Sequence, residues 1–224
     1  MTLKFIHQQY LKYNKGKGFI SCHVEALHAI PPYAELATDH IVENLVEETG
    51  CAGIISTVSR NNADLNRGPN ESNTEGIIEY RNAIKDIIEY LDILDCGSNY
   101  LVIPYLHLSF HGMKDDHHGP YAIEVGTVNG RSCSPEVRNW FKETILKKTQ
   151  KISPKIKIIF DEKFTGDPSI LYHRLGDNNA YHGYGQNFHS FQLEVSRSIR
   201  KKHYPKIITI FSQIITEFQE TFIN

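Results

Sequence analysis

AELATDHIVENLVEETGCAGIISTVS, residues 34–59, carries three signals in a row. Ile41, Val42, Leu45 and Val46 recur at helical spacing,. Gly50 follows the last periodic residue, as a helix C-cap does,. CAGIISTVS (51–59) is then a continuous apolar run of strand type,. A helix that turns directly into a buried strand is half of a βαβ unit. Whether the alternation continues on either side decides the fold.

It does. GFISCHV (18–24) reads as a strand before the helix, and TEGIIEYRNAIKDIIEYLDIL (74–94) as a long amphipathic helix after the strand, opened by Asn73 or Thr74 as cap,. YLVIPYLHLSF (100–110) is a strand whose Pro104 argues against a central position along its whole length,. YAIEVGTV (121–128) alternates as a shorter strand, and Ser134–Pro135 starts a helix over 134–149,. KIKIIFDE (156–163) and SFQLEVS (190–196) are strands, and PKIITIFSQIITEFQETF (205–222) closes the chain as a helix. Alternation of this kind predicts an α/β three-layer sandwich, with helices on both faces of a mixed, mostly parallel sheet. No repeat or linker interrupts it, so residues 1–224 are expected to form a single domain.

Bulk properties narrow the partners. The chain has 224 residues, 40% apolar and 22% charged, which is ordinary for a globular protein,. A formal charge of −2 exerts no bulk pull toward nucleic acid or an anionic membrane,. No apolar run approaches membrane-spanning length,. The opening stretch, residues 1–18, lacks the apolar segment and cleavage site of a signal peptide,. Four cysteines include no C-x-x-C pair, so a cytoplasmic chain with reduced thiols is expected,. Twelve histidines are many for this length, and several crowd between His107 and His118.

In open α/β sheets the chemistry gathers at the carboxyl ends of strands. The first strand ends in SCHVEALH, with His23, Glu25 and His28. The second gives Arg60, Asp64, Asn66 and Arg67, and the third gives His107, His111 and the DDHH run of 115–118. The last gives Glu194 and Arg197. Imidazoles, carboxylates and guanidinium groups along one edge are the components of metal-assisted hydrolysis. His23 and His111 are the leading imidazole ligands. The third ligand is expected to be a carboxylate, with Asp39 first and Glu25 or His28 as alternatives. Glu194 is the expected base for the attacking water. Arg60 or Arg67 would steady an oxyanion or grip a substrate carboxylate. Taken singly, each has a bland reading: a hydrogen-bonded structural histidine, a glutamate on a solvated face, an Asx-turn at DLNR. Their coincidence at four strand ends favours a site.

The same residues carry a resemblance. SRNNADLNR (59–67) resembles the SR…DLNR segment of the N-formylglutamate amidohydrolase family, within the wider zinc-carboxypeptidase-like and aspartoacylase-like group. SFQLEVSRSIR (190–200) is similar to that family's QLEI-x-R strand, and ISCHVEA, ATDHIVENL and FHGM are similar to its ligand motifs. The resemblance runs from the first strand to Arg200. It implies a zinc-carboxypeptidase-like fold and one zinc per chain on His23, Asp39 and His111. It also implies Glu194 as the catalytic carboxylate, and Arg60, Asn66, Arg67 and Arg197 around a small acidic N-acyl amino acid. A metallo-carboxypeptidase, a γ-glutamyl hydrolase and a binding protein without turnover are the competing readings. Two departures stand out: Val-Glu-Ala follows His23 where the family has one residue and then glycine, and Ala26 occupies the place of the glutamate of a carboxypeptidase H-x-x-E. Residues 164–186, rich in Gly, Asp and Asn, read as a long loop over the site,.

Overall fold

One eight-stranded sheet runs through the molecule, in the order β1-β2-β4-β3-β5-β8-β6-β7. The computed structural model describes residues 4–150, 152 and 154–224; residues 1–3 of the N-terminal stretch discussed above lie outside them. The strands are β1 (Ile6–His7), β2 (Leu11–Asn14), β3 (Cys22–Ala26), β4 (Ala52–Ser56), β5 (Tyr105–Met113), β6 (Ala122–Gly126), β7 (Lys157–Phe160) and β8 (Phe188–Ser196). β4, β3, β5 and β8 are parallel neighbours. β2 joins antiparallel at one side, and β6 joins antiparallel at the other with β7 parallel to it. The sheet is mixed and mostly parallel, as the alternation predicted.

The side chains of the central strands sort by parity. Cys22, Val24 and Ala26 of β3, Leu106, Leu108 and Phe110 of β5, and Phe191, Leu193 and Val195 of β8 share one face. There they pack on helices α1 (Thr38–Thr49), α4 (Pro135–Thr149) and α7 (Tyr204–Phe222). Phe141 of α4 stacks on Phe191, with ring centroids 4.1 Å apart. The opposite face packs on α2 (Thr74–Tyr90), through Ile77, Tyr80, Ile84 and Ile88. α5 (Pro168–Leu175) lies on that same face, with His173 against His107 and Phe188. Short helices α3 (Asp115–His118) and α6 (Arg197–Lys202) follow β5 and β8.

Local signals act as expected at most boundaries. Gly50 caps α1 at φ 78°, a left-handed conformation that glycine adopts without cost,. Ser134 Oγ accepts the Val137 N–H at 3.2 Å and opens α4. Asn73 behaves differently: it precedes α2, but its amide turns to the incoming loop and donates to the carbonyls of Asp64 and Gly68. β5 starts just after Pro104, so the proline ends up outside the ladder. β3 runs two residues beyond the expected strand, to Ala26, and this shift relocates the site. The stretch 164–186 is not all loop, because residues 168–175 form α5 and bury Ile170, Leu171, His173 and Arg174.

Gly53 of β4 lies under α1, where a Cβ would meet Val46 Cγ2 at 2.5 Å. Gly53→Ala is therefore expected to lower stability by about 1–3 kcal/mol, the usual cost of overpacking. Adding Val46→Ala should recover part of that loss, a non-additivity that chemical denaturation of the four chains of a double-mutant cycle reads directly.

Candidate active site

Glu35 is the centre of the constellation. The connection from β3 to α1 leaves the sheet at Leu27 and doubles back, with the Glu35 N–H donating to the His28 carbonyl at 2.8 Å. Thr38 Oγ1 holds the other end by donating to the Glu35 carbonyl at 2.8 Å. This closure sets the Glu35 carboxylate between two imidazoles: His28 Nδ1 lies 3.1 Å from Oε1, and His111 Nδ1 lies 3.0 Å from Oε2. The Gly112 N–H also donates to Oε2, and the Arg60 guanidinium pairs with Oε1. Burial pushes the Glu35 carboxyl up, but the imidazoles of His111 and His28 more than offset that and hold it well below the usual carboxylate range. For His111, burial works downward and the Glu35 carboxylate outweighs it, raising the imidazole to about 9.

The outer nitrogens of both imidazoles are anchored. His28 Nε2 lies 2.7 Å from Asp64 Oδ1, and His111 Nε2 lies 3.1 Å from Ser109 Oγ. An oxygen hydrogen-bonded to one ring nitrogen, with the other nitrogen aimed inward, is how proteins orient a metal-binding histidine. The three donors lie within 4.8 Å of one another. Neighbouring ligands of a tetrahedral zinc, at about 2.0–2.1 Å from the ion, are roughly 3.3 Å apart. The 3.0 and 3.1 Å separations are close to that spacing, so the residues fit such an ion.

Glu194 stands across the β5–β8 ladder from His111, in register with it. It is 7% exposed, and its one side-chain hydrogen bond among the described residues is from Gln192 Nε2 at 3.0 Å. Burial raises its pKa; His111 offsets part of this and Glu35 adds to it. The two carboxylates of the site thus titrate far apart, Glu35 low and Glu194 high. Both face a cavity of about 470 Å³, which Arg60, Asn66, Arg67, Lys163 and Gln192 also line. Arg67 pairs with Asp167, and Lys163 Nζ lies 2.6 Å from His117 Nδ1. Arg60 Nε is buried without a hydrogen-bond partner among the described residues.

The residues singled out from sequence divide accordingly. His111, Glu194, Arg60, Asn66 and Arg67 share this cavity. Arg197 lines a neighbouring cavity of about 340 Å³, with Lys114 and Arg200, that shares Glu35 and Arg60 with the first. His23 does not join them. β3 continues past it, so it sits mid-strand beside His107, some four residues or roughly 13 Å down the ladder from His111,. Asp39 does not join them either: it sits in the first turn of α1, where Oδ1 accepts the His40 N–H at 2.9 Å. The structure brings His28 and Glu35 to His111 instead. A signal for both was present in HAIPPYAE (28–35), where Pro31–Pro32 mark the end of the strand and leave His28 at its mouth,. Gln192, Lys163, Ser109 and Arg200 were also missed. Arg200 donates to the carbonyls of Val195 at 3.0 Å and Leu36 at 2.5 Å, which ties β8 to the segment carrying Glu35.

No family model matches the chain, and no curated protein matches it. Solved structures do. An N-formylglutamate amidohydrolase from Ralstonia eutropha JMP134 aligns over 94% of this chain and 98% of its own, with TM-score 0.63 and 11% identity. A gene product of Agrobacterium tumefaciens aligns over 96% of both chains, with TM-score 0.62 and 10% identity. A metallo-carboxypeptidase from Burkholderia cenocepacia aligns over 94% of this chain and 61% of its own, with TM-score 0.50 and 13% identity. The chain shares their fold. The amidohydrolase and carboxypeptidase-like architecture expected from the motifs is thus the observed one, at an identity that speaks for fold alone.

The cavity wall opposite Glu35 hangs on one buried carboxylate. Glu124 Oε1 accepts the N–H groups of Glu162, Lys163 and Phe164 at 2.6–2.8 Å, and Oε2 lies 2.7 Å from His118 Nε2. Glu124→Ala would strand three backbone donors at about 1–3 kcal/mol each where they remain buried. Hydrogen exchange at 162–164 is expected to accelerate in that variant, together with a lowered denaturation midpoint. Unchanged protection there would mean that the segment is held by something else.

Proposed function

We propose that the chain is a metal-dependent hydrolase that cleaves the amide bond of a small acidic N-acyl amino acid, of which N-formylglutamate is the model. The observation that carries this is the convergence of His28, Glu35 and His111 with a buried Glu194 that has no ion-pair partner among the described residues, in one cavity edged by guanidinium and ammonium groups. His28, Glu35 and His111 would hold a zinc-type ion; imidazole and carboxylate donors suit it. When bound there, such an ion acidifies water and polarises a carbonyl.

The side chains account for the rest. Glu194, in its charged form, takes the proton of the attacking water and delivers it to the leaving nitrogen. Its raised pKa makes it a stronger base than an exposed carboxylate, and the low-dielectric cavity keeps the proton local. Asp64 accepts from His28 Nε2–H and so keeps Nδ1 free to bind an ion,. Arg60, whose Nε is buried and unpaired, can donate to the oxyanion that forms on the substrate carbonyl,. Arg67 and Lys163, with the Asn66 amide beside them, face the substrate's carboxylates,. A cavity of about 470 Å³ suits an amino-acid-sized guest,. The adjoining basic cavity is the observation that favours a longer substrate, a peptide carboxy-terminus or a γ-glutamyl chain.

Glu194→Gln is expected to lower kcat by about 10²–10⁴, the usual contribution of a positioned base, while metal content stays unchanged. Equal turnover in that variant would remove Glu194 from the mechanism. A wild type that binds acidic N-acyl amino acids but cleaves none of them would make the protein a binder. Arg67→Ala is expected to raise KM for acidic substrates about tenfold or more and to leave neutral ones unaffected.

The pH profile follows from the direction of the Glu194 shift. The charged form is active, and burial lifts its pKa above the ordinary 4.5. Activity should therefore be low at acid pH and rise as pH passes through that lifted pKa. An acid limb of kcat/KM at or below the ordinary carboxylate value would assign the base elsewhere.

A further inference from the structure

The polar cluster below the active site belongs to none of this chemistry. β3 and β5 pair in register with His23 opposite His107, and Glu25 follows two residues along β3 on the same face. All three are 0% exposed. His107 Nε2 lies 2.9 Å from Glu25 Oε1, and His23 Nε2 lies 3.7 Å from Glu25 Oε2. Yet His23 Nε2, His107 Nε2 and Glu25 Oε1 make no hydrogen bond among the described residues, because their directions do not suit one. Buried polar atoms left in this way are costly, and a buried carboxylate costs more.

We propose that His23, Glu25 and His107 form a second metal site, a structural one, holding a zinc-type divalent ion in the interior of the sheet layer. One divalent cation among the three orphaned atoms would give each of them a partner and would more than offset the charge of the carboxylate. The ligand atoms lie within 4.8 Å of one another, and the 2.9 Å between His107 Nε2 and Glu25 Oε1 is close to the roughly 3.3 Å between neighbouring ligands of a tetrahedral zinc,. The imidazoles lie stacked 4.3 Å apart and 11° from parallel, so binding asks their Nε2 edges to tilt together.

What surrounds the three residues is built for ligation. His23 Nδ1 lies 3.0 Å from the Tyr105 hydroxyl, and His107 Nδ1 lies 3.0 Å from Ser190 Oγ. In the tautomer in which both Nδ1–H groups donate outward, each Nε2 presents its lone pair inward. Tyr80 donates to Glu25 Oε2 at 2.6 Å and sits 3.2 Å from His173 Nε2, whose Nδ1 is 3.0 Å from the Tyr181 hydroxyl. A chain of donors and acceptors thus holds the outer atoms and leaves the inner three without a hydrogen-bond partner among the described residues.

Full burial sets this site apart from the open one at Glu35. An ion here is enclosed as the chain folds and leaves only when the chain opens. The test is elemental analysis of the full chain grown with zinc, before and after dialysis of the folded protein against EDTA. One ion per chain is expected to survive the chelator and to be released in guanidinium chloride. Glu25→Gln and His107→Asn should lose that resistant ion and keep the labile one, and His28→Asn should do the reverse. A wild type with no resistant ion overturns the proposal, as does a resistant ion that persists in both Glu25→Gln and His107→Asn. If either variant fails to fold, the wild-type measurement decides alone. Failure of the hydrolase reading would appear separately, as a missing labile ion.

Discussion

The register of β5 against β8 is the constraint on which both the core and the chemistry depend. Nine consecutive pairs, from Tyr105–Phe188 to Met113–Ser196, fix which residues face which layer. Leu106, Leu108 and Phe110 lie beside Phe191, Leu193 and Val195 and fill one layer. His107, Ser109 and His111 lie beside Ser190, Gln192 and Glu194 on the other. A slip of one residue would put the imidazoles and carboxylate among the phenylalanines and the aliphatic residues under α2. The hydrophobic layer therefore pins the polar one, and Glu194 faces the His111 site because Phe191, Leu193 and Val195 have nowhere else to go.

The loops complete what the ladder begins, and they are braced by charge. Asp64 holds His28 and accepts the Asn66 N–H at 3.0 Å, Asn73 ties down Asp64 and Gly68, and Glu124 gathers 162–164. Each brace lies behind a residue that faces the cavity, so preorganisation is supplied before any substrate arrives. The same arrangement separates two carboxylates by environment. Glu35 faces imidazoles, a guanidinium and a backbone N–H and stays charged. Glu194 has burial and one amide, and binds its proton more tightly. Carboxylates whose environments push their pKa values apart are suited to different roles.

Much of this was legible in the sequence, and the failures have identifiable causes. Helices α1, α2, α4 and α7 and strands β4 to β8 overlap the segments that periodicity marked, and β3 overlaps its segment but is shifted toward Ala26, because buried strands and amphipathic helices have long, strong patterns,. β1, β2, α3, α5 and α6 were missed; most are short, and their stability comes from what they pack on rather than from local pattern. At the site, DLNR and QLEVS pointed to residues that do line the cavity. His23 was chosen over His28 because the strand was ended at Val24, whereas the ladder carries it to Ala26. Alternation cannot tell a polar residue on a buried face from one on a solvated face, so Glu25 read as an alternative ligand of the His111 site and His107 as one more residue of the same strand end. Asp39 and Glu35 lie on either side of a turn whose Ala37 is left-handed at φ 72°, a conformation that alanine does not advertise,.

A buried sheet face needs a reason to stay polar so far from its cavity. The cluster of His23, Glu25, His107, Tyr80 and His173 reaches α2 through Tyr80 and α5 through His173. Arg81 continues it, pairing with Asp177 at 2.8 Å and lying over the Tyr181 ring at 4.0 Å. This network thus fastens the 168–185 segment to the sheet, and the start of that segment, through Asp167 and Ser169, touches Arg67 and Asn66 in the cavity wall. An apolar core at these positions would pack as tightly, but it would lack directional bonds to fix α5 in azimuth and depth. The polarity is better understood as orientation than as strength: buried polar groups cost free energy and return specificity only when every atom has a partner. Three atoms without a hydrogen-bond partner among the described residues, at the centre of this network, are where that logic is incomplete for the protein side chains alone.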